Sequence, residues 1–108
     1  MKVPQINRKL ILEAPGRVDD GAGGFSETWA PLGIIWGEVL ARGSGREAEA
    51  SELKLKVTVR AAPQGAPSRP RADMRFRDGE RIYHIEAVTE AEAAGHYLVC
   101  FVKEEVGA

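Results

Sequence analysis

The chain has 108 residues, of which 44% are hydrophobic and 29% charged, and its formal net charge is −1. A chain of this length buries one modest core, so we expect a single domain over residues 1–108 with little room for a multi-step active site. The composition is that of a folded domain and not of a disordered segment. No apolar run approaches the roughly 18 residues that span a bilayer, and residues 1–5 lack the apolar core of a signal peptide, so we expect a cytoplasmic protein without membrane contact.

The first predicted element is a pair of strands joined by a glycine-rich turn. Residues 8–13 begin it, residues 35–39 end it, and residues 16–24 between them hold four glycines and two aspartates. Glycine supplies positive φ angles and aspartate side chains cap turns, so the chain can reverse here without a helix. We therefore predict that the two flanking segments pair.

Strict alternation of apolar and polar residues predicts the next strands. Four aliphatic side chains interleave with polar ones, which places all four on one face of a half-buried strand. These four are Leu53, Leu55, Val57 and Val59. Residues 73–77 alternate in the same way, and Asp78-Gly79 is a favoured two-residue turn before residues 81–85, which predicts a tight hairpin.

The last predicted strand pair covers residues 81–89 and 96–104, with Gly95 closing the reversal between them. Residues 97–102 are apolar on both faces of the strand. A strand of this kind is central in its sheet or covered on both sides, so we expect it to contribute strongly to the core.

Three segments lack strand periodicity and are predicted as loops, namely 14–25, 42–52 and 61–72. The second contains good helix formers after its glycines, which is compatible with a helix of one or two turns. The third holds three prolines, which remove backbone donors and predict an extended surface loop. About six short strands without a sustained helical period predict an all-β fold, a small antiparallel β-barrel or sandwich with long loops.

Residues that could carry chemistry are few. The two histidines and the single cysteine show none of the spacings of a zinc site. His84 is expected to be a neutral packing residue, and Cys100 a buried apolar residue without an internal disulfide partner. We therefore predict no catalytic residue, no cofactor, no metal site and no enzymatic activity.

The residues of the glycine-rich turn favour neither a phosphate-binding loop nor a pair of catalytic carboxylates. Residues 21–24 are not followed by Gly-Lys-Ser/Thr or by a helix, so they do not form a phosphate loop. Asp19 and Asp20 are adjacent on this turn, where solvated turn-forming residues are far commoner than paired catalytic carboxylates.

Four large aromatic residues are candidate anchors of the core or of a subunit interface. Core packing is the default expectation for the two tryptophans, and the alternative is a subunit interface, where tryptophan is enriched as a buried anchor. The four candidates are Trp29, Trp36, Phe76 and Tyr83.

Positive charge is concentrated in one part of the chain. Residues 54–81 hold eight Lys or Arg against three acidic residues, whereas residues 82–108 hold five Glu against one Lys. Such asymmetry is typical of a nucleic-acid surface, of complementary sides of a ring-forming subunit, or of solvated strand faces. The candidate basic face consists of Lys54, Lys56, Arg60, Arg75 and Arg77.

Several short patterns follow one another along the chain. The first half contains R-x-L-x-L-E at residues 8–13, D-G-x-G-G at 20–24, E-T-W at 27–29 and W-x-E-V at 36–39. The second half contains a D-G turn that leads into R-x-Y-x-I at residues 81–85. In this order the patterns resemble the head-tail joining proteins of tailed phages and gene transfer agents, and the resemblance spans nearly the whole chain.

This resemblance implies a small β-barrel with one long projecting loop and a structural role in the virion, at the head-tail junction. It implies a head-closure (stopper) subunit that forms a ring, a hexamer by similarity to such rings, and extends the DNA channel of the portal. The implied partners are the portal or adaptor ring on the head side, the tail terminator or tail tube on the tail side, and packaged DNA, contacted without sequence specificity. We expect the 42–52 loop to face the channel or the neighbouring ring, through Arg42, Gly43, Ser44, Gly45, Arg46 and Glu47.

Alternatives stay open at this stage. Within the same assembly the chain could be an adaptor or a tail-terminator subunit. From another class, it could be a monomeric β-barrel that binds single-stranded nucleic acid without specificity, although stacking aromatics are few and the net charge is near zero. An enzyme is the third possibility.

Overall fold

Six strands account for most of the chain. The structure is a computed structural model that describes residues 3–42 and 53–105. The strands are β1 (Arg8–Asp19), β2 (Phe25–Ala41), β3 (Leu53–Arg60), β4 (Arg75–Asp78), β5 (Arg81–Glu90) and β6 (Tyr97–Glu104). They form one sheet that closes on itself in the order β1-β2-β3-β6-β5-β4, with antiparallel neighbours throughout. The all-β barrel prediction is confirmed, and the predicted short helix lies outside the described residues.

The interior of the barrel follows the alternation seen in the sequence. Every second residue of β3 and β6 points inward, and on β6 the inward residues Leu98, Cys100 and Val102 are fully buried. The core that they form also takes in Leu10, Leu12, Leu55, Val57, Val59, Met74, Phe76, Tyr83 and Ile85. Burial raises the pKa of the Cys100 thiol to about 12, so this cysteine is an unreactive packing residue, as predicted.

The first two strands run further than the sequence predicted. Residues 14–25 were predicted as a loop, but residues 14–19 and Phe25 belong to strands, and the β1–β2 pairing continues to Asp19↔Phe25. β4 pairs with β1 only at Ile11–Glu13, and β3 pairs with β2 only at Gly37–Ala41. Residues 14–30 therefore form a two-stranded ribbon beyond the barrel, which we call the arm. β1 has a single partner strand at Pro15, and such an edge position is where a sheet tolerates proline.

The predicted glycine-rich turn is confirmed, and it is confined to residues 20–24. The φ angles of Gly21 and Gly23 are 79° and 86°. Asp20 Oδ1 accepts hydrogen bonds from Ala22 N at 2.8 Å and Gly24 N at 3.1 Å. The carboxylate thus caps the turn, as expected of aspartate at a chain reversal.

Two other connections differ in detail from prediction. In the β4–β5 hairpin the loop residues are Gly79 and Glu80, one position later than predicted, because Asp78 pairs with Arg81. The 61–72 segment is a loop, but it is not extended. Its amides bond back three residues, from Ala66 to Pro63 and from Arg69 to Ala66, because proline lacks a donor but keeps an accepting carbonyl.

The arm makes the molecule long. Its principal extents are 52 × 36 × 21 Å. A strand rises about 3.3 Å per residue, so the 17 residues of β2 run along most of the longest dimension. Within the described ranges no helix is long and apolar enough to cross a bilayer.

Candidate assembly surface

The tip of the arm carries exposed apolar side chains. Phe25 is 65% exposed, and Val18 on the opposite strand is more than half exposed. The Arg17 guanidinium lies 5.9 Å from the centre of the Phe25 ring. A two-stranded ribbon is marginally stable alone in water, so a ribbon with apolar residues at its tip favours burial against another chain.

A second apolar surface lies on the outward face of β2. Ile34 is 57% exposed and Trp36 is 51% exposed, whereas the residues between and after them, Ile35 and Gly37, point toward the barrel. Beside Trp36 lies a groove of about 280 Å³, which we call the Trp36 groove. Its lining includes Ile6, Ile34, Ile35, Trp36, Arg60 and Ala61. An apolar surface of this kind is typical of a protein interaction site.

The base of the arm is fixed to the barrel by a charged and aromatic cluster. Glu13, only 5% exposed, accepts hydrogen bonds from Arg75 Nε at 2.7 Å and Arg77 Nε at 3.1 Å. Trp29 lies over Arg75, 4.2 Å from ring centre to guanidinium, and its ring meets His84 edge-on at 5.8 Å between centroids. Burial alone would raise the pKa of Glu13, but the bonds and charges of the two arginines outweigh it and lower that pKa.

Arg42, Lys54 and Glu86 form a tightly bonded cluster beside the end of β2 and the start of β3, which we call the neck. Arg42 N donates to Lys54 O at 3.1 Å, and the two side chains converge on Glu86, at 3.1 and 3.0 Å. Arg42 also donates to Val102 O at 2.8 Å. Hydrogen bonding by Lys54, followed by that of Arg42, lowers the pKa of Glu86 against its partial desolvation. The neck therefore ties Arg42 to β3, β5 and β6.

The predicted channel-facing loop residues divide at this neck. Arg42 is bonded to the barrel through Glu86 and the carbonyl of Val102, and its contact with the channel or the neighbouring ring stays a prediction. Gly43, Ser44, Gly45, Arg46 and Glu47 lie outside the described residues.

The predicted basic face does not exist as one face. β3 and β4 are three places apart in the closed six-stranded ring, so Lys54, Lys56 and Arg60 lie on the opposite side of the barrel from Arg75 and Arg77. Three of the five also form ion pairs, Lys54 with Glu86 and the two β4 arginines with Glu13. Residues close in sequence were separated because the chain crosses the barrel between them.

The four aromatic candidates separate into core and surface. Phe76 and Tyr83 are fully buried, and Tyr83 Oη donates to Asp78 Oδ2 at 2.9 Å. Trp29 is half-buried at the arm base, and Trp36 is on the surface. The default expectation of core packing is therefore wrong for Trp36, because its even-numbered position on β2 points away from the barrel.

Glu13 and Glu86 were not among the candidate site residues of the sequence analysis. Glu13 lies directly opposite Arg75 in the regular pairing of β1 with β4, and Arg77 is two residues along the same strand. Glu86 is the extra residue where the β5 register shifts between Ile85 and Ala87, and a bulge re-aims a side chain, so this carboxylate meets Arg42 and Lys54. The glutamate of R-x-L-x-L-E is visible in the sequence, but its partners are not.

Conventional active-site geometry is not seen in the described part of the chain. Among residues 3–42 and 53–105, no three His, Cys, Asp or Glu side chains are grouped so as to hold a metal ion. His84 Nε2 lies 2.8 Å from Glu105 Oε1 on the surface. What the structure does present is a closed barrel, an arm with an apolar tip and a second apolar surface, features that define an assembly protein.

Comparisons with known proteins identify the assembly. Residues 1–105 match the model of the family described as phage head completion protein. A chain in the virion of a native gene transfer agent particle is 42% identical, covers 97% of this chain and 100% of its own length, and superposes with a TM-score of 0.76. None of the curated proteins matches.

A second structural relative supports the fold alone. The solution structure of a Shigella flexneri 2a protein is 17% identical, covers 100% of both chains and has a TM-score of 0.72.

The chain described here belongs to the phage head completion protein family. It is a structural virion protein of the head-tail region, as the resemblance implied.

Proposed function

We propose that this protein is a head-closure (stopper) subunit whose ring lies beneath the portal complex. In this position it extends the DNA channel, retains packaged DNA and offers the tail a docking surface. Its partners are further copies of itself, the portal or adaptor ring on the head side, and the tail terminator or tail tube on the tail side. The 42% identity over 97% of the chain to a protein of a native gene transfer agent particle carries the proposal, and it favours a particle of that kind over a lytic phage.

The architecture suits a ring subunit. A closed barrel leaves no open sheet edge in its body, so its shape is kept under load and it does not aggregate edge to edge. The arm and the apolar face of β2 then provide contact surfaces outside the barrel. The neck of Arg42, Lys54 and Glu86 supplies a stiff base for the 43–52 segment, as a channel-facing loop requires.

The dispersed cations fit a channel better than a tight nucleic-acid site. Affinity for nucleic acid grows with the number of phosphates that are neutralised together. With three of the five predicted cations in ion pairs and the set divided between two sides of the barrel, one chain binds DNA weakly. A channel that conducts DNA needs such weak contact.

Deletion of the gene in the particle-producing bacterium tests the proposal. We expect heads that fill with DNA but lose it, and tails that accumulate unattached, both visible by negative-stain electron microscopy and nuclease protection. Complementation with the wild-type gene should restore both. DNA-filled, tailed particles in the deletion strain would overturn the proposal.

The 43–52 segment has its own test. Removal of residues 43–50 should leave a folded barrel, because the backbone bond between Arg42 and Lys54 lies outside the deletion, but DNA retention or tail attachment should be lost. Circular dichroism and thermal melting check the fold, and particle yield checks the function. Wild-type particle yield would contradict the loop assignment.

A further inference from the structure

Two exposed patches on this chain both offer apolar surface and carry opposite net charge. One is the tip of the arm, which ends in a projecting aromatic residue, Phe25. The other is the Trp36 groove, an apolar concavity of about 280 Å³. Their chemistry identifies the kind of partner that each of them fits.

The arm tip combines an aromatic residue with carboxylates. Strand pairing sets Asp19 opposite Phe25 and Arg17 opposite Glu27, so these four side chains share one face of the ribbon. Arg17 stacks near the Phe25 ring. Neither Asp19 nor Glu27 forms a salt bridge with any other described residue. The tip therefore presents an exposed phenyl ring, two carboxylates and one guanidinium, and these side chains together carry a net charge of −1.

The groove combines apolar walls with cations. Lys9 is the cross-strand partner of Trp36 and lies beside it on the outward face, and Arg60 lines the other side. Both cations are exposed, and within the described ranges neither forms a salt bridge. The groove therefore offers Ile34 and Trp36 to an aromatic ring and two positive charges to its flanking carboxylates.

The two patches cannot meet within one molecule. Phe25 and Trp36 are eleven positions apart on the same strand, which is about 36 Å in extended chain. Contact between the patches must join two copies, and each copy then keeps one unused arm and one unused groove. An interface between two different patches is heterologous, and it closes into a ring when the rotation permits.

We propose that the arm tip of one copy docks in the Trp36 groove of the next copy. Phe25 packs against Ile34 and Trp36, and Asp19 and Glu27 face Lys9 and Arg60. Docking buries the apolar tip and gives the marginal ribbon a tertiary partner. This inference rests on the proposed ring, and it names the surfaces by which the ring is made.

Sedimentation velocity of two variants and their mixture tests the pairing. Phe25→Asp disables the arm and Trp36→Asp disables the groove, while each variant keeps the other patch intact. Both residues are more than half exposed, so folding should survive, as circular dichroism will check. Wild type should assemble with rising concentration, each variant alone should stay monomeric, and their equimolar mixture should stop at a dimer, because only one productive pair can form.

A matched control uses Leu40, another exposed apolar residue on the outward face of β2 that lines a different groove. Leu40→Asp should assemble as wild type does. Growth of either test variant into wild-type oligomers, or a mixture that remains monomeric while wild type assembles, would overturn the proposal.

If the isolated chain does not associate, disulfide cross-linking inside assembled particles tests the contact between the arm tip and the Trp36 groove. Glu27→Cys combined with Lys9→Cys should give a ladder of disulfide-linked copies under oxidation, whereas each single cysteine should give none. Cys100 is buried and does not interfere. A missing ladder, or a cross-link to a different virion protein, rejects the arm-groove contact. The stopper role would then still stand if particles continue to need the protein, so failure of the two proposals can be told apart.

Discussion

The barrel and the arm are built from the same two strands, yet they are stabilised in opposite ways. In the barrel, β1 and β2 have a partner on each side and bury apolar side chains such as Leu10 and Leu12 completely. In the arm, each strand pairs only with the other, and the phenyl ring at the tip, Phe25, faces solvent. The barrel is a self-sufficient unit, and the arm depends on its base and on a partner. The difference shows that strand pairing alone does not make a stable structure, since the buried core supplies most of the free energy.

The largest difference in the free energy of unfolding is expected between substitutions of a buried phenylalanine and of an exposed one. Phe76→Ala removes a fully buried ring and should lower the free energy of unfolding by about 3–5 kcal/mol. Phe25→Ala removes an exposed ring and should change it by less than about 0.5 kcal/mol. Urea denaturation measures both, and equal losses would abolish the distinction between barrel and arm.

The next largest difference in stability is expected between Glu→Gln substitutions at Glu13 and at Glu27. Glu13→Gln replaces a buried carboxylate that two arginines bind and should cost about 3 kcal/mol. Glu27→Gln on the arm should be close to neutral. A small loss for Glu13→Gln would mean that the base of the arm is not held by this ion pair.

The same carboxylate predicts a pH dependence. Because the folded-state pKa of Glu13 lies below its ordinary value of 4.5, its contribution to stability is present above pH 4.5 and is lost as the pH falls through the folded pKa. Wild type should therefore lose more stability than Glu13→Gln between about pH 5 and pH 3. Thermal melts across this range check the difference, and parallel curves for the two proteins would contradict it.

Two glycines, one in the barrel and one in the arm, should show a smaller difference in the stability cost of an alanine substitution. A Cβ on Gly37 would lie 3.1 Å from Thr58 O and 3.2 Å from Cγ1 of Val57, so Gly37→Ala should cost about 1–3 kcal/mol through crowding against β3. A Cβ on Gly16 in the arm would meet Thr28 Oγ1 at 3.0 Å. That side chain can rotate away, so Gly16→Ala should cost less than Gly37→Ala. Denaturant midpoints of the two variants provide the measurement, and the reverse order would show that the arm is the tighter region.

The smallest effect should appear at the arm base. Trp29→Ala removes the ring from Arg75, an interaction worth about 1 kcal/mol, and should change global stability little. Amide hydrogen exchange of residues 16–19 and 26–30 should nevertheless quicken about fivefold, because a loss of about 1 kcal/mol of local opening energy corresponds to that factor. Trp36→Ala is the control and should leave exchange in the arm unchanged in the monomer. Unchanged exchange in Trp29→Ala would mean that the ribbon holds itself in place.

The strands of the barrel could be predicted well, and the candidate site could not. Alternation located β3 and β4, because a side-chain period of two is a local property of the chain, and turn residues and an apolar run located β5 and β6. The lengths of β1 and β2 were underestimated, since Pro15 and the glycines suggested a loop. Trp36 was expected in the core by default, with an interface as the alternative, because hydrophobicity does not say whether a strand face is covered by its own chain or by another.

The sequence by itself determined that the chain is an all-β domain, where its turns lie and which family it resembles. Those properties depend on residue types and on spacings of a few positions. Only the tertiary structure decided that Lys54 and Arg75 lie on opposite sides of the barrel, that strand pairing sets Glu13 opposite Arg75, and that a bulge leaves Glu86 facing Arg42 and Lys54. It also decided that Phe25 and the Trp36 groove are exposed. These features follow from which strands are neighbours in the closed ring, and strand order is set by contacts between residues far apart in the chain.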